Sequence, residues 1–476
     1  MATDDQIQYS GEYKLEKLEL ITLNGNIDLV NNYVQIDLFE SIFTHTISGS
    51  LMIIDTNNLL LNSPIIGQEY LKLKIKSPGV VNADSIDYSE NVLSIYRVGQ
   101  VFDASKGAQL IELGLISPEA LTNQRTRVSK SYVASMNEIV KDVVTNKIYL
   151  DSRKNLFLES SVGDKRMVSP NIHPFSLIDM IASETQATDL NNVTTNDINY
   201  HVFYENTKGF HFKSLSYLFS QETQGDFHGG DVGTIERKGK ELEDYKRVIS
   251  FERTGNVDML QNIVSGMLGS TQITHDIYTK SYRIYNYSYF DDYPRIDENP
   301  IYSDSFIDYQ NRTVGGFRNS RIHLNSRSGD ISVNKSFSRG ESDNDQNSAG
   351  PVSSLTTGAN LLKRRSKFAE MLGTINYRIK VAGHTEMKVG DMINFSVPTV
   401  GNDHGKGSEN DFVSGKFLIK NLRHTFYRQP EVKHEVAMEI TKDSLGIPLP
   451  DGDLEQPIKD SAFVTELKGG DDYGAN

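Results

Sequence analysis

Apolar and polar side chains alternate through much of the first 117 residues. A period of two places apolar side chains on one face of a β-strand. The alternating sets are Val34, Ile36 and Leu38; Ile47, Gly49, Leu51 and Ile53; and Leu71, Leu73 and Ile75. Asn24-Gly25 is a typical hairpin turn. Several short strands at this spacing predict a β-barrel or sandwich over residues 12–117.

The hydrophobic period lengthens after residue 118. Ser135 followed by Glu138 matches a capping box, and apolar residues at helical spacing predict a helix over 136–148 with one buried stripe. That stripe is Ile139, Val140, Val143, Val144 and Ile148. A second helix is predicted to begin at Pro174, and the aromatic segments 201–204 and 210–212 predict a hairpin. Residues 118–220 are therefore expected to form an α/β or α+β unit.

The second half of the chain returns to β-structure around an insertion. Residues 221–245 are polar and Gly-rich, as in a linker, and Arg247–Phe251 is predicted to be a strand. A short helix is predicted over 257–268, with Val257, Leu260, Ile263, Val264 and Met267 as its apolar positions.

The later part of the insertion and the end of the chain contrast in composition. Residues 278–309 are rich in Tyr and Asp, and residues 336–358 are dense in Ser, Asn, Asp and Gly, as in a flexible loop. A helix over 359–372 with Gly373 as its stop precedes new alternating segments between 375 and 440. We expect a second barrel, split between 246–256 and 374–445, and an acidic flexible tail over 447–476.

Composition limits the chemistry that the chain can perform. The 476 residues contain no Cys, which excludes disulfides and thiolate metal sites. The net charge of −14 argues against binding nucleic acid through its phosphates. No signal peptide and no run of about 18 apolar residues is present, so we expect no membrane insertion.

No catalytic motif stands out. The densest acidic pairs are Asp291-Asp292 and Asp343 with Asp345, and surface acids are the simpler interpretation of both. The eleven His residues, including His201, His211 and His424, show no metal-ligand spacing.

Two further segments resemble binding sites only superficially. Gly401–Ser408 fails the spacing of a phosphate-binding loop, and Lys363-Arg364-Arg365 fits the solvated face of a helix. We predict no catalytic, cofactor-binding or metal-binding residues and no cofactor, and we leave the partner-binding residues open.

Three groups of segments follow one another along the chain. The first group is Leu38–Thr44, Ile47–Leu51, Ile54-Asp55, Pro64–Gly67 and Glu69; the second is Asn171–Phe175, Phe203–Glu205 and Gly209–Leu215; the third is Val389–Asp391, Ile393, Pro398, Asp411–Lys416 and His424. In this order they resemble the first barrel, the domain that follows it and the second barrel of the baseplate hub proteins of contractile-tailed, T-even-like bacteriophages. Together they cover roughly residues 12–445.

The resemblance implies an α+β, mainly β fold with two tail-tube-like antiparallel β-barrels and an α/β domain between them. The expected domains are a first barrel, an α/β domain, the start of the second barrel, an insertion, the remainder of that barrel and a tail. Their expected ranges are 8–117, 118–225, 226–256, 257–373, 374–446 and 447–476.

The resemblance also implies a function without enzymatic activity. A hub of this kind is a homotrimer that joins the hexameric tail tube to the trimeric central spike and lets tape-measure protein and DNA pass through its lumen. Baseplate wedge proteins would surround it, and it would lie in the virion tail after assembly in the host cytoplasm.

Three alternatives remain open. The chain could be the hub of a phage-related contractile injection system, which the presence or absence of capsid genes nearby would decide. It could be a cell-wall hydrolase with a carboxylate pair, which turnover of peptidoglycan would reveal. It could be a receptor-binding adhesin that uses the Tyr-rich region 278–309, which a glycan array would test.

Overall fold

The structure, a computed structural model, describes most of the chain between residues 9 and 449. It does not describe 57–64, 79–84, 106, 162–163, 184, 186–200, 230–244, 256, 277–279, 293–298, 304–319, 327–361, 363–364, 368, 372–373, 398–409 and 430. Within the described ranges, no helix has the length and apolar character needed to cross a membrane.

Strands dominate the described residues. In chain order they are β1 (Lys14–Thr22), β2 (Gly25–Asp28), β3 (Tyr33–Ser41), β4 (Ser48–Asp55), β5 (Tyr70–Lys76), β6 (Ile86–Asp87), β7 (Leu93–Ser105), β8 (Ala108–Ile116), β9 (Ser131–Ser135), β10 (Leu156–Leu158), β11 (Asp164–Val168), β12 (His201–Asn206), β13 (Gly209–Ser214), β14 (Thr223–His228), β15 (Val248–Arg253), β16 (Gly269–Asp276), β17 (Ser281–Ser288), β18 (Ile322–Ser326), β19 (Ile375–Ala382), β20 (Met392–Ser396), β21 (Gly415–Tyr427) and β22 (Lys433–Lys442). The helices are α1 (Pro118–Arg125), α2 (Met136–Thr145), α3 (Pro174–Ala182), α4 (Leu215–Ser220), α5 (Met259–Ser265) and α6 (Tyr289–Asp292).

The alternating segments of the first 117 residues do form strands, and these strands surround one core. Leu71, Leu73 and Ile75 of β5 are fully buried, and so are the inward positions of β4. With residues of β1, β3, β7 and β8 they form the N-terminal core. Leu23 and Asn24 form the tight connection between β1 and β2, which pair antiparallel, and Gly25 is the first residue of β2.

The strand before the insertion joins the strands after it. β15 pairs antiparallel with β19, Val248 opposite Val381, and β19, β22, β21 and β20 follow as antiparallel neighbours. A second β-unit that is interrupted by an insertion requires a strand before the insertion to pair with a strand after it, as β15 does with β19. Apolar residues of these strands and of α4 form the C-terminal core.

The expected linker at 221–245 contains a strand. β14 pairs parallel with β20, Phe227 opposite Phe395. The interpretation as linker was wrong for residues 223–228, because this strand is mostly polar and its backbone pairing leaves no alternation in the sequence. A bridge between His228 and Arg247 brings the end of β14 next to the start of β15.

Both β-rich parts belong to one sheet of fourteen strands. β3 of the N-terminal part pairs antiparallel with β21 of the C-terminal part, from Gln35 opposite Tyr427 to Ser41 opposite Asn421. The mainly β, α+β fold class is confirmed. Among the described strands no closed barrel is found, so the two expected barrels are not confirmed as closed; the two β-rich parts are joined through the pairing of β3 with β21.

The middle unit packs α2 and α3 against the hairpin of β12 and β13. Ile139, Val140, Val143 and Val144 are buried as predicted, whereas Ile148 is 76% exposed, because α2 ends at Thr145. Ser135 is the N-cap residue, but its side chain makes no capping hydrogen bond. The four buried residues of α2 form the middle core together with apolar residues of α3, β12 and β13.

The insertion has a small core of its own. β17, β16 and β18 form a three-stranded sheet, and the described residues between 362 and 371 are helical, in agreement with the predicted helix. Met267, Leu268, Tyr287, Tyr289 and Leu362 form the insertion core.

The predicted helix over 257–268 is shorter than expected. It runs only from Met259 to Ser265, since Asp258 caps its start and Gly266 ends it in the left-handed conformation. Its predicted buried stripe was partly wrong, because Val257, Leu260 and Val264 are exposed.

Several predictions lie outside the described residues. They are the loop 336–358, Gly373, the segment Gly401–Ser408 and the tail beyond residue 449. The domain boundaries remain predictions.

Candidate functional site at the junction of the cores

Four ionisable side chains are buried where the N-terminal, middle and C-terminal cores meet, and we call this set the junction. Glu40 lies on β3, Glu119 in the first turn of α1, Lys154 in the loop before β10 and Glu205 on β12. Each side chain belongs to a residue that is at most 9% exposed. Charges buried to this extent need partners, and the junction supplies them from all three units.

Lys154 bridges two carboxylates of the middle unit. Its Nζ lies 2.7 Å from Glu119 Oε2 and 2.7 Å from Glu205 Oε1. Ser152 Oγ donates a 2.6 Å hydrogen bond to the other oxygen of Glu119. Burial alone would lower the pKa of Lys154, but the two carboxylates raise it above its ordinary value, so the ammonium stays charged.

Glu205 connects the middle unit to the N-terminal core. Its Oε2 accepts a 3.1 Å hydrogen bond from the backbone N–H of Ile47, just before β4. Burial raises the pKa of Glu205, although Lys154 opposes this effect. One carboxylate therefore holds both a buried cation and the backbone of a neighbouring unit.

Glu40 connects the N-terminal core to the C-terminal core. Its Oε2 accepts a 3.1 Å hydrogen bond from the backbone N–H of Val389, in the turn before β20. Burial raises the pKa of Glu40 to about 8, even though backbone N–H groups of Val389 and Thr207 lower it. This carboxyl is therefore mostly protonated at neutral pH.

Two glycines permit the close backbone approaches at the junction. Gly209 has a φ of +139°, and a Cβ there would lie 2.3 Å from the carbonyl oxygen of Asn155. Gly390 has a φ of +85°, and a Cβ there would lie 2.1 Å from Tyr204 Oη. Both conformations favour glycine, and both positions lie in the segments that resemble hub proteins.

A second ionic contact holds β3 against β21. Asp37 Oδ1 accepts hydrogen bonds from Arg423 Nε at 3.0 Å and from Thr425 Oγ1 at 2.8 Å. Asp37 is 5% exposed. This contact fixes the register of the strand pair that joins the two β-rich parts.

A cavity of about 90 Å³ lies beside the junction, between β14 and the turn before β20. His384, Lys388 and Asp391 are among the residues that line it, and Lys388 pairs with Asp391 at 3.0 Å. Burial lowers the pKa of His384 to about 4. A cavity of this size admits a few water molecules but no polysaccharide or peptide chain.

Of the two acidic pairs found in the sequence, Asp291 alone has a described side chain. Asp291 is exposed at the end of α6; the side chains of Asp292, Asp343 and Asp345 lie outside the described ones. In the Tyr-rich region 278–309, Tyr287 and Tyr289 are buried in the insertion core, whereas Tyr282 is 67% exposed.

The His residues singled out in the sequence lie in packed surroundings. His201 is fully buried and packs on Phe212, with ring centroids 4.8 Å apart. His211 stacks on Tyr204. His424 lies inside β21, with its Nδ1 at 3.0 Å from Nε2 of His434. Among the described residues, no group of His, Asp and Glu is arranged to hold a metal ion.

Comparison with known proteins identifies the fold. No family model matches the sequence, and no curated protein matches it. Two solved tail proteins share the fold. The tail protein from Neisseria meningitidis MC58 has a TM-score of 0.51 at 8% identity, with 91% of this chain and 97% of that chain covered. The 43 kDa tail protein of prophage MuSo2 from Shewanella oneidensis has a TM-score of 0.51 at 9% identity, with 90% and 99% covered.

A PdpA–VgrG complex from Francisella is less similar, with a TM-score of 0.40 at 11% identity and with 94% of this chain and 55% of that chain covered. The two tail proteins match over nearly their whole length. The chain thus has the fold of phage tail proteins, as its resemblance to baseplate hub proteins predicts.

Proposed function

We propose that this chain is a non-enzymatic structural protein of a contractile tail and serves as the central hub of its baseplate. The observation that carries the proposal is the shared fold with two tail proteins over at least nine-tenths of both chains. The segments that resemble hub proteins fall on the junction, because Glu40, Glu205 and Val389 all belong to them.

The junction supports a rigid structural role. Three cores are held together by buried carboxyl groups and a lysine that are hydrogen-bonded, and these groups do not line a solvated cleft. A subunit that transmits force between a tube and a spike needs such fixed relative positions. The same burial argues against a carboxylate hydrolase at this site, because a polymer cannot reach these groups.

In the proposed assembly, three copies form a ring that presents a hexameric surface to the tail tube and a trimeric surface to the central spike. Tape-measure protein and DNA would pass through the ring, and wedge proteins would surround it. The net charge of −14 suits such a channel, because acidic walls repel the phosphate backbone. Replacing exposed acids of the channel by Lys should then slow DNA release.

The test is to locate and count the chain in purified particles. Gold-labelled antibody against the chain should mark the baseplate end of the tail, and quantitative mass spectrometry should find three copies per tail. Label at the capsid or at fibre tips, or copy numbers typical of the tube, would refute the hub role. Particles without capsids would identify a contractile injection system as the setting.

A further inference from the structure

Two histidines form a buried pair on the last two strands of the C-terminal β-rich part. His424 of β21 and His434 of β22 are both 0% exposed, and Nδ1 of His424 lies 3.0 Å from Nε2 of His434. The ring of His434 also stacks on Phe426, with ring centroids 4.1 Å apart. The two imidazoles therefore form one hydrogen-bonded unit that is shielded from solvent.

The hydrogen-bond partners of this pair decide where its protons lie. The carbonyl oxygen of Met387 can only accept a hydrogen bond, so Nε2 of His424, which lies 3.1 Å from it, carries the proton of that ring. Nδ1 of His424 is then an acceptor, and Nε2 of His434 is the donor to it. Nδ1 of His434 has no hydrogen-bond partner among the described residues. Each imidazole thus holds one proton and is neutral.

A further proton would disrupt this arrangement. On Nδ1 of His424 it would set two N–H groups against each other, and on His434 it would place a charge in a buried position, which costs free energy unless the charge is paired. Burial lowers the pKa of His424 to about 3, and His384, just after β19, adds to this effect. Burial and the two other imidazoles also lower the pKa of His434, although the Gly383 backbone opposes them.

The surroundings of the pair do not offset an added positive charge. Among the described residues, the groups that act on the pKa of the pair include no carboxylate. Glu435, the next residue of β22, forms ion pairs with Lys380 and Lys433 instead. The other titratable groups packed around the pair and around His384 are Tyr13, Tyr33, Tyr245, Lys388 and Arg428.

The segment just before β1 lies directly on His434. We call Tyr9–Tyr13 the N-terminal segment. The backbone N–H of His434 donates a 2.7 Å hydrogen bond to the carbonyl oxygen of Gly11, and the ring of Tyr13 meets the ring of His434 edge-on at 6.5 Å. Two tyrosine hydroxyls of the segment donate to carbonyl oxygens of the same β-rich part, Tyr9 to Val432 and Tyr13 to Tyr427. A movement of the His434 ring would therefore disturb this segment.

We infer that the His424–His434 pair is an acid-sensitive switch, which holds the N-terminal segment on the C-terminal β-rich part while both imidazoles are neutral and releases it when they gain protons. Histidine is the side chain that changes charge in the mildly acidic range. In the released state both imidazoles are hydrated, so each has a pKa near its ordinary value of about 6.5. Below that pH, release is favoured by about tenfold per pH unit for each imidazole, and by about a hundredfold for the pair. The inference does not rest on the proposed function.

Hydrogen exchange of the N–H of His434 measures the release, because the acceptor of this N–H is Gly11 of the N-terminal segment. Its protection from exchange, corrected for the intrinsic rate at each pH, should fall by about a hundredfold per pH unit from about pH 6 towards about pH 4 until the N–H is unprotected. Protection of the amides of β5, inside the N-terminal core, should stay constant over this range. A His434 N–H whose protection does not change with pH, or falls only together with that of β5, would overturn the inference.

Substitutions that leave a single imidazole in the pair should make the fall less steep. His424→Gln and His434→Gln should each reduce it to about tenfold per pH unit, measured at the N–H of position 434. His228→Gln removes an exposed imidazole on β14 and is the matched control; its protection should fall as steeply as that of the wild type. If a pair variant does not fold, the other variant and the wild-type slope decide. A pair variant that folds and keeps the wild-type slope would show that other groups drive the release, and the inference would fail.

Discussion

Glu40→Gln tests whether a neutral carboxyl connects the N-terminal and C-terminal cores. Burial raises the pKa of Glu40 from 4.5 to about 8. Between these values the folded protein keeps a proton that the unfolded chain has released, so the free energy of unfolding of the wild type falls as pH rises. Gln keeps an acceptor for the N–H of Val389 but cannot titrate.

The variant should therefore gain stability relative to the wild type by about 1.4 kcal/mol per pH unit across this window. Between about pH 5 and about pH 8 the difference in unfolding free energy between Glu40→Gln and the wild type grows by roughly 4 kcal/mol. Urea unfolding of both proteins at several pH values measures it.

Glu90→Gln removes an exposed carboxylate and is the matched control for the loss of one charge. The difference in unfolding free energy between Glu90→Gln and the wild type should stay nearly constant with pH, since an exposed carboxylate contributes little to stability. If Glu40→Gln shows the same constant offset as this control, Glu40 is ionised in the folded protein and the account of the junction is wrong.

Three further substitutions test buried charge, backbone geometry and buried imidazole. Lys154→Met should cost about 3–5 kcal/mol of unfolding free energy, because two buried carboxylates lose their cation. Arg97→Met, which breaks an exposed ion pair, should cost under about 1 kcal/mol. Equal costs would contradict the burial of the Lys154 ion pairs. Gly209→Ala should lower the unfolding free energy by about 3 kcal/mol or more and Gly107→Ala by about 1 kcal/mol. Both glycines have a positive φ, but only a Cβ at position 209 would meet a carbonyl oxygen. Equal melting temperatures of the two variants would refute this reasoning. The unfolding free energy of His384→Gln should rise relative to that of the wild type as pH falls from about 6.5 to about 4, because burial opposes protonation of the imidazole in the folded protein. If urea unfolding gives a difference between the two proteins that does not change with pH, this account of His384 is wrong.

The sequence predicted those elements whose side chains have one clear environment. Leu71, Leu73 and Ile75 alternate because β5 has one buried face, and Val140 and Val144 recur at helical spacing because α2 packs on one side. Such periodicity is a local property, so it can be read without a partner segment.

Elements that depend on distant partners were harder to predict. β14 carries mostly polar residues and is a strand because its backbone pairs with β20. The exposed residues Val257, Leu260 and Val264 look like a buried stripe, because a helical period does not tell which face meets a core. The continuous sheet depends on a pairing between β3 and β21 that no short window contains.

One member of the junction has a signal in the sequence. Glu40 continues the buried phase of β3, two residues after Leu38 and four after Ile36. A carboxylate at an inward position predicts a buried partner. Glu119, Lys154 and Glu205 gave no such signal, because ionic partners on separate elements are brought together only by the complete fold.

The pairing of β3 with β21 determines when the chain can finish folding during its synthesis. Gln35 pairs with Tyr427, and ribosomes add about 5–20 residues per second, so about 20 to 80 seconds separate the synthesis of the two strands. Throughout that period one edge of β3 lacks its final neighbour, and unpaired edges invite association between nascent chains. Expression of the N-terminal half alone would make this state permanent, so soluble fragments of this protein should retain β21 or cover the edge of β3 in another way.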